Sequence, residues 1–192
     1  MIPLLMLRHG PTDWSAGKRL QGRADRPLSE AGIAAVRRWR LPPESADWAC
    51  VASPLRRALD TARLLGRDAA PEPALIEMDW GAWEGRRLDE LRAELGAAMA
   101  AEEARGLDMT PPGGESPRMV QARLRPWLAG LDRPLVAVAH KGVLRALYAL
   151  ATGWDMAGDP PDKLRDGRAH LFGVAGGAVR AVRLNIALED GA

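Results

Sequence analysis

Arg8-His9-Gly10 directly follows the apolar run Ile2-Pro3-Leu4-Leu5-Met6-Leu7, and His140 ends a second apolar run, Leu135-Val136-Ala137-Val138-Ala139. The chain has only three histidines, so two of them at matching strand ends point to one shared site. A neutral imidazole nitrogen can attack phosphorus and form a phosphohistidine, dividing one hard displacement into two easier ones. Guanidinium forks suit the phosphate oxygens because they stay charged and bind bidentately. Arg8 supplies one fork, and Arg56, after Ser53-Pro54, supplies another. Glu77, after Ala74-Leu75-Ile76, adds a carboxyl that can protonate a leaving oxygen and later accept a proton from water. Each residue alone has a plainer reading. A histidine at a strand end can be structural, Arg56 a solvated residue in a first helical turn, and Glu77 a turn residue. Together they predict phosphoryl transfer through His9, with Arg8, Arg56 and His140 around the phosphate and Glu77 as proton donor.

These residues need a frame that brings strand ends together. Short apolar runs at 2–7, 48–52, 135–139 and, more weakly, 73–76 alternate with helical patterns, which predicts a mostly parallel sheet covered on both faces. In such sheets ligands bind beyond the carboxyl ends of the strands, where the polar residues above lie. Ser29 caps a helix over about 30–40, and Ser53-Pro54 starts another that Gly66 stops. Leu88, Leu91, Leu95 and Met99 mark a further amphipathic helix, followed by a Pro/Gly-rich loop. Ser116-Pro117 opens a helix that Pro126 is expected to kink or break near Arg125. Gly176-Gly177 joins strands at about 170–175 and 178–184 as a hairpin. The expectation is a three-layer α/β/α sandwich with a mostly parallel sheet and a C-terminal hairpin. It forms one domain over 1–192, with a small cap insertion at about 86–114.

Composition narrows the function classes. The chain has 192 residues and a formal net charge of +2, with 24 arginines scattered among acids rather than gathered into a basic stripe. Nucleic-acid binding is therefore not expected. No apolar run approaches the length of a membrane span, and the N-terminal one is too short for a signal peptide. The one cysteine, Cys50, lies within Trp48-Ala49-Cys50-Val51-Ala52 and reads as a small core residue in a reducing, cytoplasmic compartment. Three histidines and one cysteine show no metal-ligand spacing, so no metal and no cofactor are expected.

The motifs also carry a family resemblance. Arg8-His9-Gly10-Pro11-Thr12, Gln21-Gly22-Arg23-Ala24-Asp25-Arg26-Pro27-Leu28-Ser29-Glu30, Ser53-Pro54-Leu55-Arg56-Arg57-Ala58 with Thr61-Ala62, and Glu77-Met78-Asp79-Trp80-Gly81-Ala82-Trp83-Glu84-Gly85 occur in that order. Gly113-Gly114-Glu115-Ser116 and Ala139-His140-Lys141-Gly142-Val143-Leu144-Arg145 complete the series. The set resembles the histidine phosphatase superfamily, the phosphoglycerate mutase-like family, over roughly residues 2 to 150. The resemblance implies a phosphorylated His9, a phosphate held by Arg8, Arg56 and His140, and Glu77 as donor with Glu84 in a supporting role. Compactness favours a phosphatase over a mutase, because mutases of the family tend to carry longer insertions. The Gly-Ala-Trp-Glu-Gly and Gly-Gly-Glu-Ser blocks are similar to those of α-ribazole phosphatase-like members.

Departures from the family pattern bear on the substrate. Ser15 stands where an Asn is usual, Pro11 replaces a common Glu, and Lys141 replaces a usual Gly. Ser15, Gln21 and Lys141 are candidate substrate contacts, with Lys141 either meeting a second anionic group or simply solvated. Gly10 is a supporting position. Trp14, Trp80 and Trp83 read as packing rather than an aromatic wall, and His170 carries no expected role. The expected partner is a small phosphorylated substrate.

Overall fold

The computed structural model describes residues 1–188; the last four positions of the expected 1–192 domain lie outside the described residues. Apolar residues with no polar alternation make β1 (Ile2–Arg8), as expected for a strand buried on both faces. Thr12 caps the short α1 (Asp13–Ala16), and the Ser29 hydroxyl caps α2 (Glu30–Arg38) by accepting the Gly32 N–H. β2 (Ala49–Ala52) is followed by α3 (Arg56–Leu64) and the two-residue β3 (Ala70–Pro71). Next come α4 (Leu88–Leu95), α5 (Ala97–Glu103), α6 (Pro117–Ala129), β4 (Leu135–Ala139) and α7 (Lys141–Thr152). The hairpin β5 (Arg168–Ala175) and β6 (Ala178–Ala187) turns at Gly176-Gly177, both at positive φ.

The six strands lie in the order β3-β2-β4-β1-β5-β6. β1 to β4 are parallel, and β5 and β6 run antiparallel at one edge. Alternation along the strands divides the core. Leu4, Met6, Ala137 and Ala139 pack with Val120, Leu124, Val143 and Leu147 of α6 and α7. Leu5, Leu7, Val136 and Val138 pack with Val36, Ala58 and Ala62 of α2 and α3. A third, small cluster of Trp83, Leu91 and Met99 gathers the segment around α4 and α5. Among the described residues no helix is long and apolar enough to cross a membrane.

Four local expectations are corrected. Residues 73–76 form a 3-10 turn (Pro73–Leu75) rather than a strand. Pro71 and Pro73 remove ladder donors there, and the pairing ends with β3. The helix expected through Leu88 and Met99 is broken in two at Gly96, which sits at φ +50°. Pro126 does not end α6, which continues to Ala129. Its missing N–H removes one helical bond, and the helix continues for three residues beyond it. Ser53 does not cap α3, where Leu55 is the capping residue. The Ser53 hydroxyl is used elsewhere.

Candidate active site

Parallel pairing sets Arg8 of β1 opposite Ala139 of β4, so His9 and His140 leave the sheet side by side. The His9 N–H donates to the Ala139 carbonyl at 2.9 Å, and the two rings stand 5.0 Å apart at 57°. β2 lies along the other side of β4 and delivers Ser53, whose N–H donates to the Val138 carbonyl. The contacts fix both imidazole tautomers. His9 Nδ1 is 2.7 Å from the Gly10 carbonyl, which can only accept, so Nδ1 carries the hydrogen and Nε2 keeps a free lone pair. Arg57 Nε donates to His140 Nδ1 at 3.3 Å, so the hydrogen of His140 is on Nε2, 2.7 Å from the Ser53 hydroxyl.

The second guanidinium at the histidine pair belongs to Arg57, not to Arg56. Arg56 points outward, 65% exposed, and pairs with Asp60 one turn on at 3.2 Å. Arg57 is fully buried and also donates to the carbonyls of Ala24 (2.8 Å) and Gly22 (2.7 Å). Helical phase decides between these neighbours. Ala58, Thr61 and Ala62 face the core, and Arg57 shares their side, with Thr61 one turn below it. That phase was readable in Ala58, Ala62 and Leu65. Arg8 is where expected, and its Nη1 meets Asp166 Oδ1 at 2.8 Å. Asp166 carried no signal, because it lies in an irregular segment far along the chain.

Glu77 is buried beside the start of α7. Its carboxylate accepts the Met78 N–H at 2.8 Å and the Gly142 N–H at 3.2 Å. A Cβ at position 142 would stand 2.5 Å from Glu77 Oε1, so glycine there is a condition of the contact. With no strand to hold the approach to Glu77, Arg123 of α6 does so by donating to the carbonyls of Ala74 and Ile76. Arg57, Ser53, Asp166 and Arg123 all went unread as site residues in the sequence.

Residues 4–187 match the histidine phosphatase superfamily (branch 1). The chain belongs to that superfamily. It is 38% identical over 165 residues to glucosyl-3-phosphoglycerate phosphatase of Mycobacterium tuberculosis, covering 76% of this chain and 73% of that one. It is 34% identical over 169 residues to 2,3-bisphosphoglycerate-dependent phosphoglycerate mutase of Methylorubrum populi, covering 78% and 79%. Among solved structures, mycobacterial glucosyl-3-phosphoglycerate phosphatase in complex with VO3 superposes with a TM-score of 0.76 at 32% identity, over 99% of this chain and 100% of that one. The protein TTHB049 from Thermus thermophilus gives the same score and identity over 96% and 99%. None of these names supports the narrower α-ribazole likeness. The enzyme class and the fold of this histidine phosphatase agree with the expectation from its motifs.

Burial and charge tune the groups of this phosphatase in different directions. His9 is held well below the ordinary histidine pKa, first by burial and then by the charges of Arg8 and Arg57. His140 is lowered likewise, by burial and by neighbouring cations. Glu77 is raised, because burial outweighs its two backbone hydrogen bonds and the nearby arginines. At neutral pH both imidazoles are therefore uncharged, and the carboxyl is biased toward its protonated form.

The remaining candidates surround this centre. Gly10 donates its N–H to Thr61 Oγ1 at 2.9 Å, and a side chain there would collide with Val36. Ser15 is occupied in the cap of α1, accepting the Thr12 N–H and donating to the Thr12 carbonyl. Gln21 Oε1 accepts from the Thr12 hydroxyl, while its buried Nε2 has no acceptor among the described residues. Glu84 accepts the N–H groups of Arg23 (2.6 Å) and Ala24 (3.0 Å), and so steadies the loop whose carbonyls hold Arg57. Lys141 occupies the first turn of α7 after His140. Trp83 is buried and Trp80 packs beside it, whereas Trp14 lies under Arg26. Cys50 is buried, and its thiol is pushed up to about 11.

Proposed function

We propose that this enzyme hydrolyses small phosphomonoesters without a metal, through a phosphohistidine at His9. The observation that carries the reading is the His9–Gly10 contact, which leaves the Nε2 lone pair free beside two guanidinium groups. Nε2 attacks phosphorus, the bond to the alcohol oxygen breaks, and Glu77 gives that oxygen its proton. Water then attacks the phosphohistidine, Glu77 takes back a proton, and phosphate leaves with His9 restored. Arg8, Arg57 and His140 hold the non-bridging oxygens, Arg57 taking the role expected of Arg56. His140 acts as a neutral donor through its Nε2–H, because Nδ1 already accepts from the Arg57 guanidinium. The segment at about 86–114 serves as a cap over this site. The M. tuberculosis relative makes a phosphorylated glycerate derivative the first substrate to assay.

The test is release of phosphate from p-nitrophenyl phosphate and a panel of alkyl phosphates in excess chelator. His9→Ala should abolish it, and acid quench of the wild type should trap a phosphohistidine. Glu77→Ala should slow alkyl phosphates far more than the nitrophenyl ester, whose leaving group needs no proton. Turnover surviving in His9→Ala would overturn the nucleophile. Interconversion of 2- and 3-phosphoglycerate without net phosphate release would replace hydrolysis by the mutase reading that the M. populi relative raises.

A further inference from the structure

A cavity of about 380 Å3 opens on the Arg8 side of the site, between the start of α7 and the segment joining α7 to β5. Its wall carries Arg8, Lys141, Arg145, Lys163 and Arg165 against two carboxylates, Asp159 and Asp166. Asp166 is already committed to Arg8, so the excess positive charge is unmatched. The wall holds further hydrogen-bond donors, while its Tyr148 hydroxyl is already bonded to Asp162. Among the described residues, the buried Trp154 indole N–H has no acceptor, and neither does the buried Arg8 Nε. His170 Nδ1 accepts the Asn185 N–H, which leaves the ring hydrogen on Nε2. Buried donors without acceptors are costly unless something supplies the acceptors. Arg145 is stacked over Trp154 at 4.9 Å, which fixes its guanidinium in place rather than leaving it free in solvent. Lys141 is held below the ordinary lysine range, first by burial and then by the nearby charges of Arg8, Arg145 and Lys163, against the opposing pull of Asp166.

The cavity is joined to the reaction at two points. Arg8 borders it and immediately precedes His9. Lys141 borders it too, and the next residue, Gly142, donates its N–H to Glu77. An alcohol protonated by Glu77 therefore departs next to Lys141. We infer that this cavity receives a second anionic group, a carboxylate or a phosphate, borne by the leaving alcohol. The preferred substrates are then phosphomonoesters with an anionic far end. The inference rests on the hydrolase reading above for the position of the alcohol.

The test uses esters of one alkyl series, three to six carbons long, ending in hydroxyl, carboxylate or phosphate. Wild type should prefer an anionic end by about tenfold or more in kcat/KM, mostly through KM. Lys163→Gln/Arg165→Gln, on the exposed segment, should remove most of that preference and change the hydroxyl-ended ester less than twofold. Arg145→Gln is the second variant, and should act in the same direction. Loss of the preference for one anionic end alone identifies which group the cavity takes. Equal effects on all three esters, or no wild-type preference at any chain length, would overturn the inference. Calorimetric binding of the same esters to His9→Ala reads the cavity without turnover. A preference there that survives both variants also overturns it, whereas absent turnover with the binding preference intact sinks only the hydrolase reading.

Discussion

Arg57 Nε lies 3.3 Å from His140 Nδ1, and the same guanidinium donates to the carbonyls of Gly22 and Ala24. One buried side chain thus orients the second imidazole, anchors the loop after α1 and contributes positive charge to the histidine pair. Its neighbour Arg56 does none of this.

Arg57→Ala should lower kcat/KM for phosphate release by about 10²–10³, the scale of losing one preorganised charged donor. Arg56→Ala should change it less than about threefold, since exposed ion pairs such as Arg56–Asp60 are worth roughly 0–1 kcal/mol. Steady-state assays of the two variants side by side decide the assignment, and the reverse order would restore Arg56.

Gly142→Ala separates stability from catalysis. Gly142 is the second residue of α7, where alanine gains part of the roughly 1 kcal/mol it holds over glycine in a helix interior, so folding should suffer little. Its Cβ nevertheless meets Glu77 Oε1 at 2.5 Å. Displacing a catalytic group by about 1 Å costs on the order of 10² in rate. Alkyl phosphate turnover should fall on that scale at a nearly unchanged melting temperature. Full activity would show that the Glu77 position is not critical.

Glu84 acts at a distance, through the loop that holds Arg57. Glu84→Ala leaves the exposed Arg23 N–H and the part-buried Ala24 N–H to water and should cost about 1 kcal/mol of stability, the net worth of a typical hydrogen bond. If it also positions Arg57, kcat should fall roughly tenfold or more with KM for the nitrophenyl ester little changed, and Glu84→Gln should recover part of both. A stability loss with normal kcat would reduce Glu84 to a purely structural residue.

The pH profile follows from the signs of two shifts. A lowered His9 pKa keeps the nucleophile neutral to a pH below its ordinary 6.5. A raised Glu77 pKa keeps the donor protonated above its ordinary 4.5. A plot of kcat/KM against pH should be bell-shaped, rising as His9 loses its proton and falling as Glu77 loses its own. The falling limb should be strong for alkyl phosphates and nearly absent for p-nitrophenyl phosphate, whose leaving group needs no proton. A limb that persists belongs to another group.

His170 gives a stability counterpart. Burial lowers it from 6.5 to about 4, so the folded state favours the neutral ring. Its contribution to stability is full above pH 6.5 and is lost as pH falls through about 4. Urea midpoints should drop over that window, and His170→Gln should drop less steeply. His9 and His140 add losses of the same sign.

Much of this enzyme was written in one dimension. Continuous apolar runs at 2–7 and 135–139 made buried parallel strands, and the residues after them had to meet where those strands end. Ser29, Ser116-Pro117 and Gly176-Gly177 marked local structure because caps and tight turns depend on residues only a few positions apart. Departures came where distant parts of the chain overrule local preference. Residues 73–76 are apolar enough for a strand, but flanking prolines and the reach of Arg123 from α6 make them a pinned turn. The choice of Arg57 over Arg56 turned on helical phase against the core, which a single arginine pair does not reveal by itself. The cavity beside Arg8 was still less legible. Its cations come from β1, the start of α7 and positions 163 and 165, and only folding collects them into one field.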